Sequence, residues 1–206
     1  MLFRSMLDFL LQLDREIFLF LNGLNHPIMD PVMFWISDRF VWIPMYCFLL
    51  YLIIKNYGWK TPVVLVLTVL LVTLSDQISD YMKDNIHRLR PSNDPSFGDL
   101  VHIVRGHRGG AYGFVSSHAA NTFALATFMI HMLKKHANYI PAMMLLFAGL
   151  KSYSRIYLGV HYPGDVIGGA ILGFLIGLFV IAIWEFVRKK YYRSEEHTSE
   201  LQSLSH

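Results

Sequence analysis

A single cysteine, Cys47, stands among 206 residues, so no disulfide can close within the chain and the redox compartment stays undetermined. The N-terminus lacks a basic region followed by an apolar run and a small-residue cleavage site, so no cleavable signal peptide is expected. There is no internal repeat and no hydrophilic block long enough for a soluble domain. What fills the chain instead is apolar. Hydrophobic residues make up 54% and aromatics 15%, against about 45–50% apolar residues in soluble domains.

The apolar excess is concentrated. Uncharged blocks run over Phe40–Ile54, Thr61–Ser75, Gly109–Leu133, Ala137–Leu150 and Val166–Trp184, close to the roughly 17–25 residues of a bilayer crossing. The expected fold is all-α: a polytopic transmembrane helical bundle of five to six spans. Lys55 and Lys60, Lys134 and Lys135, and Arg188 to Lys190 fall on one side if the spans alternate, which the positive-inside rule makes cytoplasmic. The other connections then face outward, yet they carry Lys83, Arg88, Arg90, Arg105, Arg108, Lys151 and Arg155. Cations against that bias ask for an anionic ligand.

One domain is expected over 1–192, with core spans over 41–187. Residues 1–40 read as an interfacial helix or hairpin, because Asp8, Asp14, Arg15 and Glu16 interrupt the apolar run. Arg193 to Ser203 reads like the in-frame translation of a sequencing adapter, so 193–206 is expected to be a non-native tail. Gly169, Gly173 and Gly177, four apart, suggest a smooth face for close helix packing.

Three polar clusters lie at the outward ends of the blocks. In "KDNIHRLRP", Lys83 and Arg90 are two helical turns apart, so on a continuous helix closed by Pro91 both point one way. An ammonium and a guanidinium on one face suit a tetrahedral oxyanion; they also suit a basic belt at lipid headgroups. In "FVSSHAANTFALA", Ser116 can cap a helix, leaving the N–H groups of Ser117 and His118 as an anion site. His118 could then hand a proton to a leaving oxygen. In "SRIYLGVHYPGD", Arg155 adds a second bidentate donor, and Asp165, four residues after His161, can orient that imidazole as a nucleophile or base. Asp76 and Asp80 read as partnered residues inside a span. In the loop after Pro91, Arg105, His107 and Arg108 suit either a grip on a second phosphate or a solvated basic loop.

The order Lys-x6-Arg-Pro, Ser-x-His, Ser-Arg-x5-His-x3-Asp resembles the type 2 phosphatidic acid phosphatase (PAP2) superfamily of membrane phosphatases. It matches at Lys83, Arg90, Pro91, Ser116, His118, Ser154, Arg155, His161 and Asp165. The family's second motif is usually Pro-Ser-Gly-His; here Val115 and Ser117 replace the proline and glycine. The resemblance implies a metal-independent, cofactor-free, two-step hydrolysis. His161 would attack phosphorus, Asp165 would orient it, and His118 would serve the leaving oxygen and then water. Lys83, Arg90, Ser116, Ser117 and Arg155 would hold the phosphate.

A catalytic face at the exterior or periplasmic side of the plasma membrane points to a lipid phosphate substrate among membrane lipids, with no nucleic acid partner. Similarity to small bacterial members makes undecaprenyl diphosphate the leading expectation, with phosphatidylglycerophosphate, phosphatidate and lipid A phosphates as alternatives. A non-catalytic lipid-phosphate binding or transport protein is the reading from another class.

Overall fold

In the computed structural model, residues 2–97 and 100–192 are described, and the expected non-native tail, 193–206, lies outside the described residues. The described residues form seven α-helices and no strand: α1 (Leu2–Gly23), α2 (Met29–Ser37), α3 (Ile43–Tyr57), α4 (Thr61–Ile86), α5 (Ser117–Leu133), α6 (Ile140–Tyr157) and α7 (Pro163–Val187). Prolines stand in the first turns of α3, α4, α6 and α7. There the missing N–H has no intrahelical partner to lose.

Helix α5 is the centre of the bundle, and glycines let α7 lie directly on its backbone. A Cβ on Gly173 would fall 2.2 Å from the Ala120 carbonyl oxygen, and one on Gly169 2.5 Å from that of Ser116. Where the two helices begin, the Ser116 amide donates to the Asp165 carbonyl at 3.0 Å. Close packing thus brings the second and third motifs together. Beneath them Leu71, Phe128, Leu133, Met144, Phe147 and Val180 form the apolar core. The outer surface is apolar as well: Ile167, Ile171, Phe174 and Leu178 are all exposed along one face of α7.

Two segments among the described residues are long and apolar enough to cross a membrane: Phe40–Ile86, which holds α3 and α4, and Pro163–Lys190. The all-helical expectation is met, while these two segments alone do not establish the expected five to six spans. Helices α5 and α6 have only 17 and 18 residues and carry polar groups such as Asn121 and Lys151. The basic clusters do gather at one end, where Lys55, Lys134 and Lys135 line one groove.

The first helix lies against the opposite end along much of its length. Arg15 pairs with Asp94 at 3.2 Å, and Phe18 packs on Phe97 and Tyr162. The buried Asn22 amide donates to the carbonyls of Tyr157 at 2.9 Å and Ile156 at 3.2 Å, satisfying acceptors that the end of α6 leaves open. The large apolar residues Phe9, Leu10 and Phe20 of α1 stay exposed.

Candidate active site

The first motif departs from the expected helix. Helix α4 ends at Ile86, four residues before Arg90, because His87 takes a left-handed conformation (φ 52°) as its C-cap. Lys83 and Arg90 therefore do not share a helix face. Lys83 stays in the last turn of α4, held by Asp80 at 2.8 Å and touching the Ser117 hydroxyl. Arg90 sits in extended backbone, where its amide donates to the Ala111 carbonyl at 3.1 Å. The loop closes tightly on it. A Cβ on Gly109, whose φ is +69°, would lie 3.0 Å from Arg90 Nη1, and one on Gly113 would lie 2.8 Å from Asp165 Oδ2.

Arg90 is buried, donating to the carbonyls of Tyr112 at 3.0 Å and Val160 at 3.3 Å. Burial pulls its pKa below the ordinary value, and Asp165 opposes that shift. Its Nη1 also stands 3.1 Å from His161 Nε2. A guanidinium has donors and no acceptor, so the Nε2 facing it offers a lone pair and the ring proton belongs on Nδ1. Nδ1 in turn points toward Asp165, with Oδ2 at 3.4 Å. That separation is longer than a formed hydrogen bond. His161 is thus a neutral imidazole with its lone pair turned to the cations. Burial first, then Arg90, Arg155 and Lys83, push its pKa well below the usual value.

Asp165 is fully buried and accepts the Tyr162 amide at 3.0 Å. Its other oxygen takes Arg88 Nη1 at 2.8 Å, while Arg88 Nη2 reaches Asp14 Oδ2 at 2.6 Å. Asp14 also accepts the Gly164 amide at 2.7 Å, binding α1 to the start of α7. Arg88 and Asp14 are functional candidates that sequence reasoning missed. Arg88 counted only as one cation among several, and Asp14 only as an interruption in an apolar run.

The second motif supplies a helix start. Ser116 is buried at the N-cap of α5, its hydroxyl accepting the Ala119 amide at a long 3.4 Å, an arrangement that leaves its O–H to donate to an anion. Ser117 is the first helical residue and takes no positive φ. The backbone that glycine supplies elsewhere is therefore open to serine here. Its hydroxyl accepts from Ser79 at 2.7 Å as well as meeting Lys83. His118 is half-buried and lines a cavity of about 560 Å³ that runs among α3, α4, α5 and α6.

Arg155 is buried, bonded to the Ser37 hydroxyl of α2, and its Nε has no partner among the described residues. Ser154 turns back on the Lys151 carbonyl at 2.7 Å. In the outer loop Arg108 is tied to the Ser92 carbonyl and Arg105 stacks on Phe34 at 4.7 Å. His107 has its pKa lowered by burial and by the charges of Arg155 and Arg90. Asp80 and Asp76 are partnered, by Lys83 and by the Asn121 amide at 2.7 Å.

The arrangement sets an imidazole lone pair near a second imidazole and a helix start, with Arg90, Arg155 and Lys83 all close enough for their charges to act on His161 and with Arg155 and Arg90 acting on His118. Anion binding and in-line phosphoryl transfer both suit such a site. No group of three or more His, Cys, Asp or Glu residues that could hold a metal ion occurs among the described residues.

The PAP2 superfamily pattern matches residues 57–189. A lipid A 4'-phosphatase of Bacteroides thetaiotaomicron is 39% identical over 96% of this chain and 84% of its own length. One of Porphyromonas gingivalis is 34% identical over 90% of this chain and 78% of its own. The crystal structure of a transmembrane PAP2-type phosphatidylglycerolphosphate phosphatase from Bacillus subtilis superposes with a TM-score of 0.67. It is 23% identical and covers 88% of this chain and 89% of its own, a likeness of fold. The chain belongs to the PAP2 superfamily and is a phosphatase.

Proposed function

We propose that this PAP2 phosphatase removes a phosphate monoester from lipid A or a closely related acylated sugar phosphate. The observation that carries the reading is the likeness, over nearly the whole chain, to two proteins named lipid A 4'-phosphatase. Those names favour the lipid A alternative over undecaprenyl diphosphate, the leading expectation from the sequence. The apolar cavity that begins at Ser117 and His118 supports a lipid substrate, since it offers acyl chains a path from the site into the bundle.

The chemistry proceeds in two steps. His161 Nε2 forms a bond to phosphorus as the bond from phosphorus to the lipid oxygen breaks, and His118 gives that oxygen its proton. Water then attacks the phosphohistidine, losing a proton to His118, and inorganic phosphate leaves with His161 restored. Lys83, Arg90, Arg155 and the amides of Ser117 and His118 neutralise the equatorial oxygens, where most of the catalytic stabilisation of phosphoryl transfer lies. Asp165, 3.4 Å from Nδ1 before substrate binds, closes on the Nδ1 proton and stabilises the imidazolium character that develops.

Residues 1–192 form one membrane domain in this reading, with α3 to α7 as five spans, and 193–206 are a non-native tail. The basic clusters at one end of the bundle support a cytoplasmic end there and a site facing the exterior or periplasm. Contacts of α1 with the site layer at Asp14, Arg15, Phe18 and Asn22 support an interfacial first helix. The test is phosphate release by purified protein in detergent, comparing lipid A with undecaprenyl diphosphate. A higher kcat/KM on lipid A is expected, and a preference for the diphosphate would overturn the substrate reading.

A further inference from the structure

The same cavity contains polar groups that the chemistry at phosphorus leaves unused. Lys151 of α6 lines it, is only 5% exposed, and makes no hydrogen bond or salt bridge at bonding distance among the described residues, the Asp38 carboxylate acting on it only from farther off. The ring of Phe147 lies 5.9 Å from its ammonium. Asn121 of α5 lines the same cavity. Its Nδ2 is committed to the Asp76 carboxylate at 2.7 Å, which fixes the orientation of the amide and turns Oδ1 elsewhere. That oxygen is buried without a partner. The lining of the cavity therefore includes, on two facing helices, an ammonium without a hydrogen-bond acceptor and an amide oxygen without a donor, the latter set just beneath the surface. Buried polar groups left this way are costly unless something fills their valences.

Their depth identifies what fills them. Helix α5 runs inward from the site, so Asn121 lies one turn, about 4.5 Å, deeper than His118 on the same face. Helix α6 runs toward the site, so Lys151 lies about 6 Å deeper than Arg155. Both stand one turn below the phosphate, on the side where the leaving alcohol must be. With bonds of about 1.5 Å, laid out in zigzag, atoms about four to six bonds from phosphorus reach that depth. In an acylated sugar or glycerol phosphate these atoms are ester or amide carbonyls, amide N–H groups and hydroxyls. In a prenyl phosphate they are hydrocarbon.

We propose that Lys151 and Asn121 form a specificity subsite for the polar shoulder of an acylated alcohol phosphate, the ammonium donating to an acyl carbonyl and Asn121 Oδ1 accepting an amide N–H or hydroxyl. The proposal rests on the lipid phosphatase reading and narrows its substrate class. An N-acylated substrate uses both groups, a glycerol diester only the ammonium, and a prenyl chain neither. Filling a site built for hydrogen bonds with an analogue that lacks them leaves its polar groups unpaired, and this is what discriminates.

The test uses three phosphomonoesters in one detergent: ceramide 1-phosphate, dioctanoyl phosphatidate and farnesyl phosphate. The expected order of kcat/KM is as named, with the first at least tenfold above the last. Lys151→Met should cut the ratio of phosphatidate to farnesyl phosphate tenfold or more, and Lys151→Gln, which keeps an N–H donor, should restore part of it. Asn121→Ala should remove the margin of ceramide 1-phosphate over phosphatidate and leave that of phosphatidate over farnesyl phosphate. Equal loss on all three substrates in Lys151→Met would place the ammonium on the scissile phosphate and overturn the proposal, as would unchanged ratios. Failure to hydrolyse lipid A with the ratios as expected would count against the lipid A reading alone. Hydrolysis of lipid A with flat ratios would count against the subsite alone.

Discussion

Replacing Arg88 should damage turnover without touching the phosphate. Its guanidinium bridges Asp14 and Asp165 at 2.6 and 2.8 Å, and Asp165 has no exposed surface from which water could take over. Arg88→Ala leaves that carboxylate with the Tyr162 amide and a 3.4 Å contact to His161 Nδ1. Removing one partner of a buried ion pair costs about 3–5 kcal/mol. Arg88 and Asp14 are 19% and 14% exposed, so water screens part of this and about 2–3 kcal/mol is the better expectation. The effect on rate runs through the orientation of Asp165. Residues that orient a site group from behind it typically contribute about 10–100-fold, so kcat should fall by that factor with KM nearly unchanged. Arg88→Lys should be intermediate, since a single ammonium cannot span two carboxylates as the planar fork does. Steady-state phosphate release from lipid A by folded protein, measured across pH, is the assay. A rise in KM at constant kcat would mean that Arg88 binds phosphate directly, and an unchanged kcat would refute the bridge as a positioning device.

Gly173→Ala should destabilise the protein by about 2–3 kcal/mol, because its Cβ would fall 2.2 Å from a backbone oxygen of α5; a melting point in detergent within 1–2 °C of wild type, by an order-of-magnitude conversion, would contradict the close packing. Asp165→Asn should lower kcat by up to about 10⁴-fold, by analogy with a carboxylate that fixes the imidazole tautomer, with binding of inorganic phosphate retained. His161 is held neutral in the fold, so the unfolded chain binds more protons below about pH 6.5. Stability should therefore fall as pH drops through that value, by up to about 1.4 kcal/mol per pH unit from this group. His161→Asn should flatten the slope, and an unchanged slope would show that other groups carry it.

The site residues were legible where the chain keeps its chemistry local. His161 and Asp165 are four apart in one turn, and Ser116 begins a helix that its sequence announces. Arg90 was legible as a candidate phosphate ligand but not in its setting. Nothing in "NIHRLR" requires His87 to take a left-handed conformation, a place more often held by glycine, so the helix looked continuous to Pro91. Arg88 and Asp14 lie 74 residues apart and meet only because α1 packs over the start of α7. That packing depends on tertiary contacts and not on any local pattern. The count of crossing helices rests on short helices for a related reason: α5 and α6, 17 and 18 residues long, carry Asn121 and Lys151 and so lack the length and apolarity of the two clear spans.

The central claim, a phosphatase working through His161, is tested most directly by rapid-quench turnover of a ³²P-labelled lipid phosphomonoester with EDTA present. The account predicts a transient, acid-labile and alkali-stable label on the peptide that carries His161, absent from His161→Ala together with turnover. Turnover with no labelled peptide at any time, or turnover that survives in His161→Ala, would contradict it.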